Sequence, residues 1–161
     1  MEYNGRNTFP RLSTTALFME FHCMSGDVWY REGLRFKCTA CGGCCTGAPG
    51  YVWVNRVEIA ALAASFDMTE DEFGKKFVRR VGNRYSLIER PNGDCIFFDP
   101  DLRNCRVYRH RPRQCRTWPF WTSNLRSQET WNDMACSCPG ANRGKLYTLA
   151  EINERKAVMR V

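Results

Sequence analysis

Histidine is scarce here, with two residues in 161, and Ser–His or Cys–His catalysis has little to build on. HExxH helices, phosphate-cradling glycine loops and nucleophile elbows are absent. No run approaches the ~18 apolar residues that a membrane-spanning helix needs. The opening stretch, MEYNGRNTFPRLSTTALFMEF, lacks the basic and apolar regions of a secretory signal. The expectation is a cytoplasmic protein with no membrane contact. Internal repeats and low-complexity tracts are also missing, and the length suits one domain.

Cysteine, by contrast, is abundant, with ten residues. Disulfides would suit a secreted chain, whereas cytosolic thiols stay reduced. Tight spacing in an intracellular chain points instead to metal ligation. Basic residues outnumber acidic ones, 24 to 17, for a formal charge of +7. Metal-bound thiols are deprotonated. Eight thiolates on two Zn²⁺ would bring a net −4 and leave about +3, so the basicity is partly counter-charge.

Cys38, Cys41, Cys44 and Cys45 fall within CTACGGCC. Two-residue gaps turn successive sulfurs onto one ion, as in zinc knuckles, and three in series are like the ferredoxin loop. Gly42, Gly43 and Gly47 allow close backbone approach. Cys44 and Cys45 are neighbours whose side chains diverge, so they serve different metals, or one stands just behind the direct ligands, or Cys45 is a buried structural thiol. Cys95, Cys105 and Cys115 follow at intervals of ten, and Cys136 and Cys138 form a last pair. These nine are the candidate metal ligands. They suffice for two four-ligand sites, or for one cluster plus one zinc, with one to spare. Cys23 stands apart as a core or free thiol. His22 and His110 are weighed as ligands but read better as surface or core residues.

Local patterns predict a small, loop-rich α+β domain organised around its metals. Residues 1–37 read as irregular or as short helix and turn segments, with Phe9, Leu12, Leu17, Phe18, Phe21 and Trp29 packing on the core. Tyr51–Val54 reads as a strand. Asn55 with Glu58, and Thr69 with Glu72, are capping boxes that start two helices. Phe73, Phe77 and Val81 recur at four-residue steps, extending the second helix with Lys75, Lys76, Arg79 and Arg80 on its other faces. Three strands then form a meander over 85–89, 95–98 and 105–108. Pro112 opens a short helix carrying Cys115. Residues 120–147 read mostly as loop, and Thr148 with Glu151 starts a last helix to about Met159. The predicted organisation is an extension at 1–35 that packs on the core, a cysteine domain at 36–140, and a C-terminal helix at 141–161.

Arg103, Arg106, Arg109, Arg111, Arg113 and Arg116 crowd one segment with no acid among them. Three readings compete: donors to thiolate sulfur, a phosphate or nucleic-acid face with Trp118, Phe120 and Trp121 as stacking surfaces, or a solvated basic face. The Trp118-Pro119-Phe120-Trp121 group reads better as core than as a stacking platform.

FKCTACGGCC at 36–45, GDCIFFD at 93–99 and CRVYRHRPRQCRTWPF at 105–120 together resemble the YkgJ-type cysteine-cluster family, zinc- or iron-chelating CxxCxxCC domain proteins. The likeness runs from about residue 36 to 140. It implies that Cys38, Cys41, Cys44, Cys45, Cys95, Cys105 and Cys115 are metal-site cysteines, with Cys136 or Cys138 a further ligand. A related cysteine tail in flagellin lysine methylases implies an accessory module of a protein-modifying enzyme, but no methyl-donor pocket is recognisable here.

The expected function is metal binding, through zinc or an iron–sulfur cluster, with a redox, electron-transfer or metal-handling role. One alternative is a structural zinc module presenting the arginine-rich face to nucleic acid or a protein partner. Another is an accessory or catalytic module of a modifying enzyme.

Overall fold

The computed structural model describes residues 28–158. The expectations for the first residues, including Phe9 to Phe21, His22 and Cys23, lie outside these, as does the very end of the last helix.

The architecture is α+β. Strand β1 (Leu34–Phe36) is followed by the cysteine knuckle, which ends in a 3-10 turn at Gly43–Cys45. Next come β2 (Val52–Val54), α1 (Arg56–Ala64), α2 (Glu70–Phe77), β3 (Val78–Val81) and β4 (Arg84–Leu87). The two-residue strands β5 (Phe98–Asp99) and β6 (Asn104–Cys105) precede α3 (Arg113–Thr117), α4 (Gln128–Ser137), β7 (Lys145–Tyr147) and α5 (Leu149–Val158). All pairings are antiparallel: β2-β4-β3 in one sheet, β1 with β7, and β5 with β6.

Both predicted capping boxes are present, Asn55 with Glu58 and Thr69 with Glu72. Each satisfies orphan amides at a helix start. Several expectations are corrected. Helix α2 stops at Phe77, and 78–81, with Arg79, Arg80 and Val81, is strand. The two-residue Gly82-Asn83 turn, with Gly82 at φ +59°, folds this segment back on β4 as a hairpin.

The three-strand meander forms only in part, with its second and third strands reduced to the β5–β6 pair and Ile96 N–H donating to the Ile88 carbonyl. Strand β4 pairs with β2 and β3, and Cys95 makes only an isolated bridge to Glu89. The Cys95 N–H goes instead to the Cys45 carbonyl. Beyond Cys105 the chain turns into a 3-10 segment at Tyr108–His110. Residues 34–36 are strand rather than irregular chain, because β7 supplies a partner distant in sequence.

The stretch 120–147 also holds more structure than expected. Ser127 caps α4 in a box closed by Thr130 rather than by Glu or Gln. Trp131, Met134 and Ala135 then face the core at helical spacing.

The core has two clusters. Tyr30, Phe36, Phe120, Leu125, Trp131, Met134, Ala141 and Ile152 form one. Tyr30 and Ile152 thus tie the chain on both sides of 36–140 to a common interior. Val54, Ile59, Leu62, Ala63, Phe73, Leu87, Phe97 and Val107 form the other. Pro119 and Phe120 are fully buried and Trp118 and Trp121 half-buried, so the centre of that aromatic group is core, as expected. Cys38 and Cys138 pack against the first cluster, Cys95 and Cys105 against the second.

Candidate metal centre

Five sequence segments deliver cysteines to one place, and backbone contacts explain how. The knuckle is held at both ends. On its N-terminal side Lys37 N–H donates to the Gly140 carbonyl at 3.0 Å, and Phe36 bridges to Ala141. On its far side Cys95 N–H donates to the Cys45 carbonyl at 2.8 Å. Between them Gly42, at φ +72°, lies so close to the Phe98 ring and the Arg103 carbonyl that a side chain would collide. Phe98 is the ladder partner of Cys105, so this approach brings Cys105 to the knuckle.

Helix α3 is positioned separately. The Gln114 side chain is buried. It accepts from Trp53 N–H at 2.7 Å and donates to the Tyr51 carbonyl at 2.9 Å, replacing a missing strand beside β2. Glu58 closes the α1 capping box through one oxygen and accepts the Arg113 N–H through the other. These bonds fix the helix that carries Cys115.

The result is a cavity of about 80 Å³ lined by Cys38, Cys41, Cys44, Cys45, Cys95, Cys105, Cys115 and Cys138. Phe36, Leu87, Phe97, Val107 and Trp118 supply its apolar walls. Several water-sized spheres would fit, at ~10–15 Å³ each. Cys136 is exposed and is not among the lining residues. It precedes Cys138 by two residues near the end of α4, where successive side chains diverge. All nine described cysteines are free thiols. Among the described residues, no three cysteine, histidine, aspartate or glutamate side chains are drawn into a finished metal-binding group. The thiols surround a space rather than a point.

Electrostatics divide the lining thiols. Cys45 shares hydrogen bonds with both Cys44 and Cys105, which lowers those two to about 7 and raises Cys45 itself. The Arg111 guanidinium also favours the Cys44 and Cys105 thiolates. Burial pushes Cys95 up to about 11, and raises Cys115 further. Five sulfurs, from Cys44, Cys45, Cys95, Cys105 and Cys115, thus interact as one group. Cys38 belongs to another side of the cavity, where it meets Tyr108 and Arg111. The hydrogen bond with Cys38 raises the Tyr108 hydroxyl and keeps it protonated.

Of the six clustered arginines, Arg111 is the one that lines the cavity. Its Nη1 lies 3.9 Å from Cys38 Sγ. Arg106 leans toward Asp99 at 3.8 Å and Arg113 toward Glu58 at 3.9 Å. Arg103, Arg109 and Arg116 are exposed. His110 is exposed and does not line the cavity.

The donor set suits a soft metal. Eight thiols and no histidine or carboxylate line the space, a composition that favours zinc, iron–sulfur clusters or Cu(I) over magnesium or calcium. Gln114 and Arg111 are functional neighbours that spacing alone does not single out. Gln114 carries no signal beside Cys115, and Arg111 looks like its five arginine neighbours. No helix among the described residues is long and apolar enough to cross a membrane.

Comparison with known proteins agrees with this chemistry. The chain is 32% identical over 91 residues to the uncharacterized protein MJ0661 of Methanocaldococcus jannaschii, which covers 56% of this chain and 48% of that protein. The chain therefore spans about half the length of this relative. No solved structure matches it significantly. The family model CxxCxxCC, described as a "Putative zinc- or iron-chelating domain", matches residues 37–139. The chain therefore belongs to the CxxCxxCC domain family.

Proposed function

We propose that this is a cysteine-ligated metalloprotein in which Cys38, Cys41, Cys44, Cys45, Cys95, Cys105, Cys115 and Cys138 hold zinc or an iron–sulfur cluster. The observation that carries the reading is their shared cavity. Eight of the nine described cysteines, from five segments, line one space that contains no histidine or carboxylate. Zinc sites take four ligands, so eight thiols match two such sites, or one cluster and one zinc. Cys136 stays outside this ligand set. The cysteine domain spans residues 36–140, with 1–35 as an extension and 141–161 as the C-terminal helix.

The cavity sits where the two hydrophobic clusters meet, since Cys38 and Cys138 border one and Cys95 and Cys105 the other. A bound metal would join the two halves covalently, so metal binding contributes directly to folding. Held in this way, the centre serves redox, electron-transfer or metal-handling chemistry in the cytoplasm.

A second reading has one observation in its favour. Arg103, Arg109 and Arg116 are exposed and make no ion pair among the described residues. A structural zinc module would present these cations to nucleic acid or to an acidic protein. Nucleic-acid binding that falls steeply with salt would favour this reading.

Anaerobic purification of the full chain, followed by elemental analysis and a visible spectrum, tests the proposal. Iron with acid-labile sulfide and a broad absorbance selects the cluster. Stoichiometric zinc in a colourless protein selects zinc. A protein purified with neither, which also takes up neither on reconstitution, would sink the reading.

A further inference from the structure

We propose that Arg111, braced by Tyr108, is a positioning residue that holds Cys38 to the other cavity thiols and thereby governs how tightly the metal is retained. This inference rests on the metal-binding reading above.

Arg111 makes three contacts at once. Its guanidinium carbon lies 3.8 Å from the Tyr108 ring centroid, a stacked cation–π pair. Its Nε donates to the Tyr108 carbonyl at 3.1 Å. Its Nη1 points at Cys38 Sγ, 3.9 Å away. The stack and the backbone bond fix the planar fork, so little freedom remains to be lost when it meets sulfur. Tyr108 lines the same cavity wall as Cys38.

Position makes this pair decisive. Tyr108 is 38% exposed while still lining the cavity, so the stack forms part of the outer wall. The same residue lines the cavity together with Cys44 and Cys105. Its charge is therefore shared between Cys38 and the cavity as a whole. Four thiolates on one divalent ion carry surplus negative charge, and a fixed cation in a half-buried wall offsets it more effectively than an exposed one. Arg109, two residues away, is exposed and makes no such contact.

The test compares zinc affinity of the full chain with those of R111Q, R111K and R109Q, by competition with a chromophoric chelator. Thermal unfolding of each loaded protein runs in parallel. Outer-shell partners of metal ligands typically contribute about 10- to 100-fold in affinity. R111Q should lose that much, R111K should recover part of it through charge alone, and R109Q should match the parent. Should R111Q fail to fold, Y108L removes the ring on which the Arg111 guanidinium rests. It should lower affinity in the same direction by a smaller factor. Equal affinities for the parent, R111Q and R109Q overturn the role of Arg111 and leave the metal reading standing. In the fallback, an unchanged affinity for Y108L overturns it as well. A parent chain that takes up neither zinc nor iron overturns both.

Discussion

The backbone N–H of Cys95 donates to the carbonyl of Cys45 at 2.8 Å, joining two cysteines fifty residues apart by main chain rather than by sulfur. This bond does not need either thiol. Replacing Cys95 by serine should therefore keep the local fold while removing one donor from the cavity. Elemental analysis of C95S and C105S should show less bound metal than the parent. C136S, altered outside the cavity, should retain the parental content. Equal metal loss in all three would contradict the proposed division of the cysteines.

Gln114 holds α3 to the edge of β2 through both ends of its amide. Gln114→Ala would leave the Trp53 N–H and Tyr51 carbonyl without these partners in a half-buried setting. Unsatisfied buried groups cost about 1–3 kcal/mol each, so destabilisation of at least ~1 kcal/mol is expected. Chemical denaturation of the metal-loaded protein measures it. A midpoint equal to that of the parent would show that water replaces the amide without loss.

Gly42 combines a left-handed backbone with a close approach to Phe98 and the Arg103 carbonyl. Gly42→Ala meets both penalties. Overpacking alone typically costs about 1–3 kcal/mol, and the alanine must also adopt a conformation disfavoured by about 1–2 kcal/mol. The variant should unfold earlier and bind less metal, because the knuckle can no longer seat against the β5–β6 hairpin. Gly47, also at positive φ but with open space around it, provides the comparison. Gly47→Ala should affect metal content less than Gly42→Ala, and the reverse order would count against the seating argument.

Metal uptake competes with protons for sulfur. Cys44 and Cys105 ionise near 7, whereas Cys95 is held up to about 11, and Cys45 and Cys115 are raised too. Near neutral pH the raised thiols still carry protons that a metal must displace. Below about 7, Cys44 and Cys105 join them. Apparent affinity should therefore fall as pH falls, by about tenfold per pH unit for each proton displaced, and steepen below 7. Chelator competition across pH 6–9 reads this directly. A flat profile would mean that these thiols are not the ligands.

Chemistry was largely legible in the residues themselves. Cysteine number and spacing announced a soft-metal site, and the capping boxes at Asn55 and Thr69 announced α1 and α2. Both are local properties, set by side-chain type and short separations. Periodicity misled over Val78–Val81, because a four-residue apolar step also survives when a Gly-Asn turn makes the segment strand. The pairing of β1 with β7 had no local signal, since each strand is three residues long and its partner lies about 110 positions away.

The sequence alone thus determined the donor type, the family and the presence of surplus thiols. Tertiary structure decided which thiols meet. Backbone bonds from Gly140 and Cys95 close the knuckle at both ends, and Gln114 sets the helix that bears Cys115. The same folding leaves Cys136 outside and selects Arg111 from six arginines that composition cannot tell apart. Distance and direction distinguish these residues, and both arise only when distant segments pack.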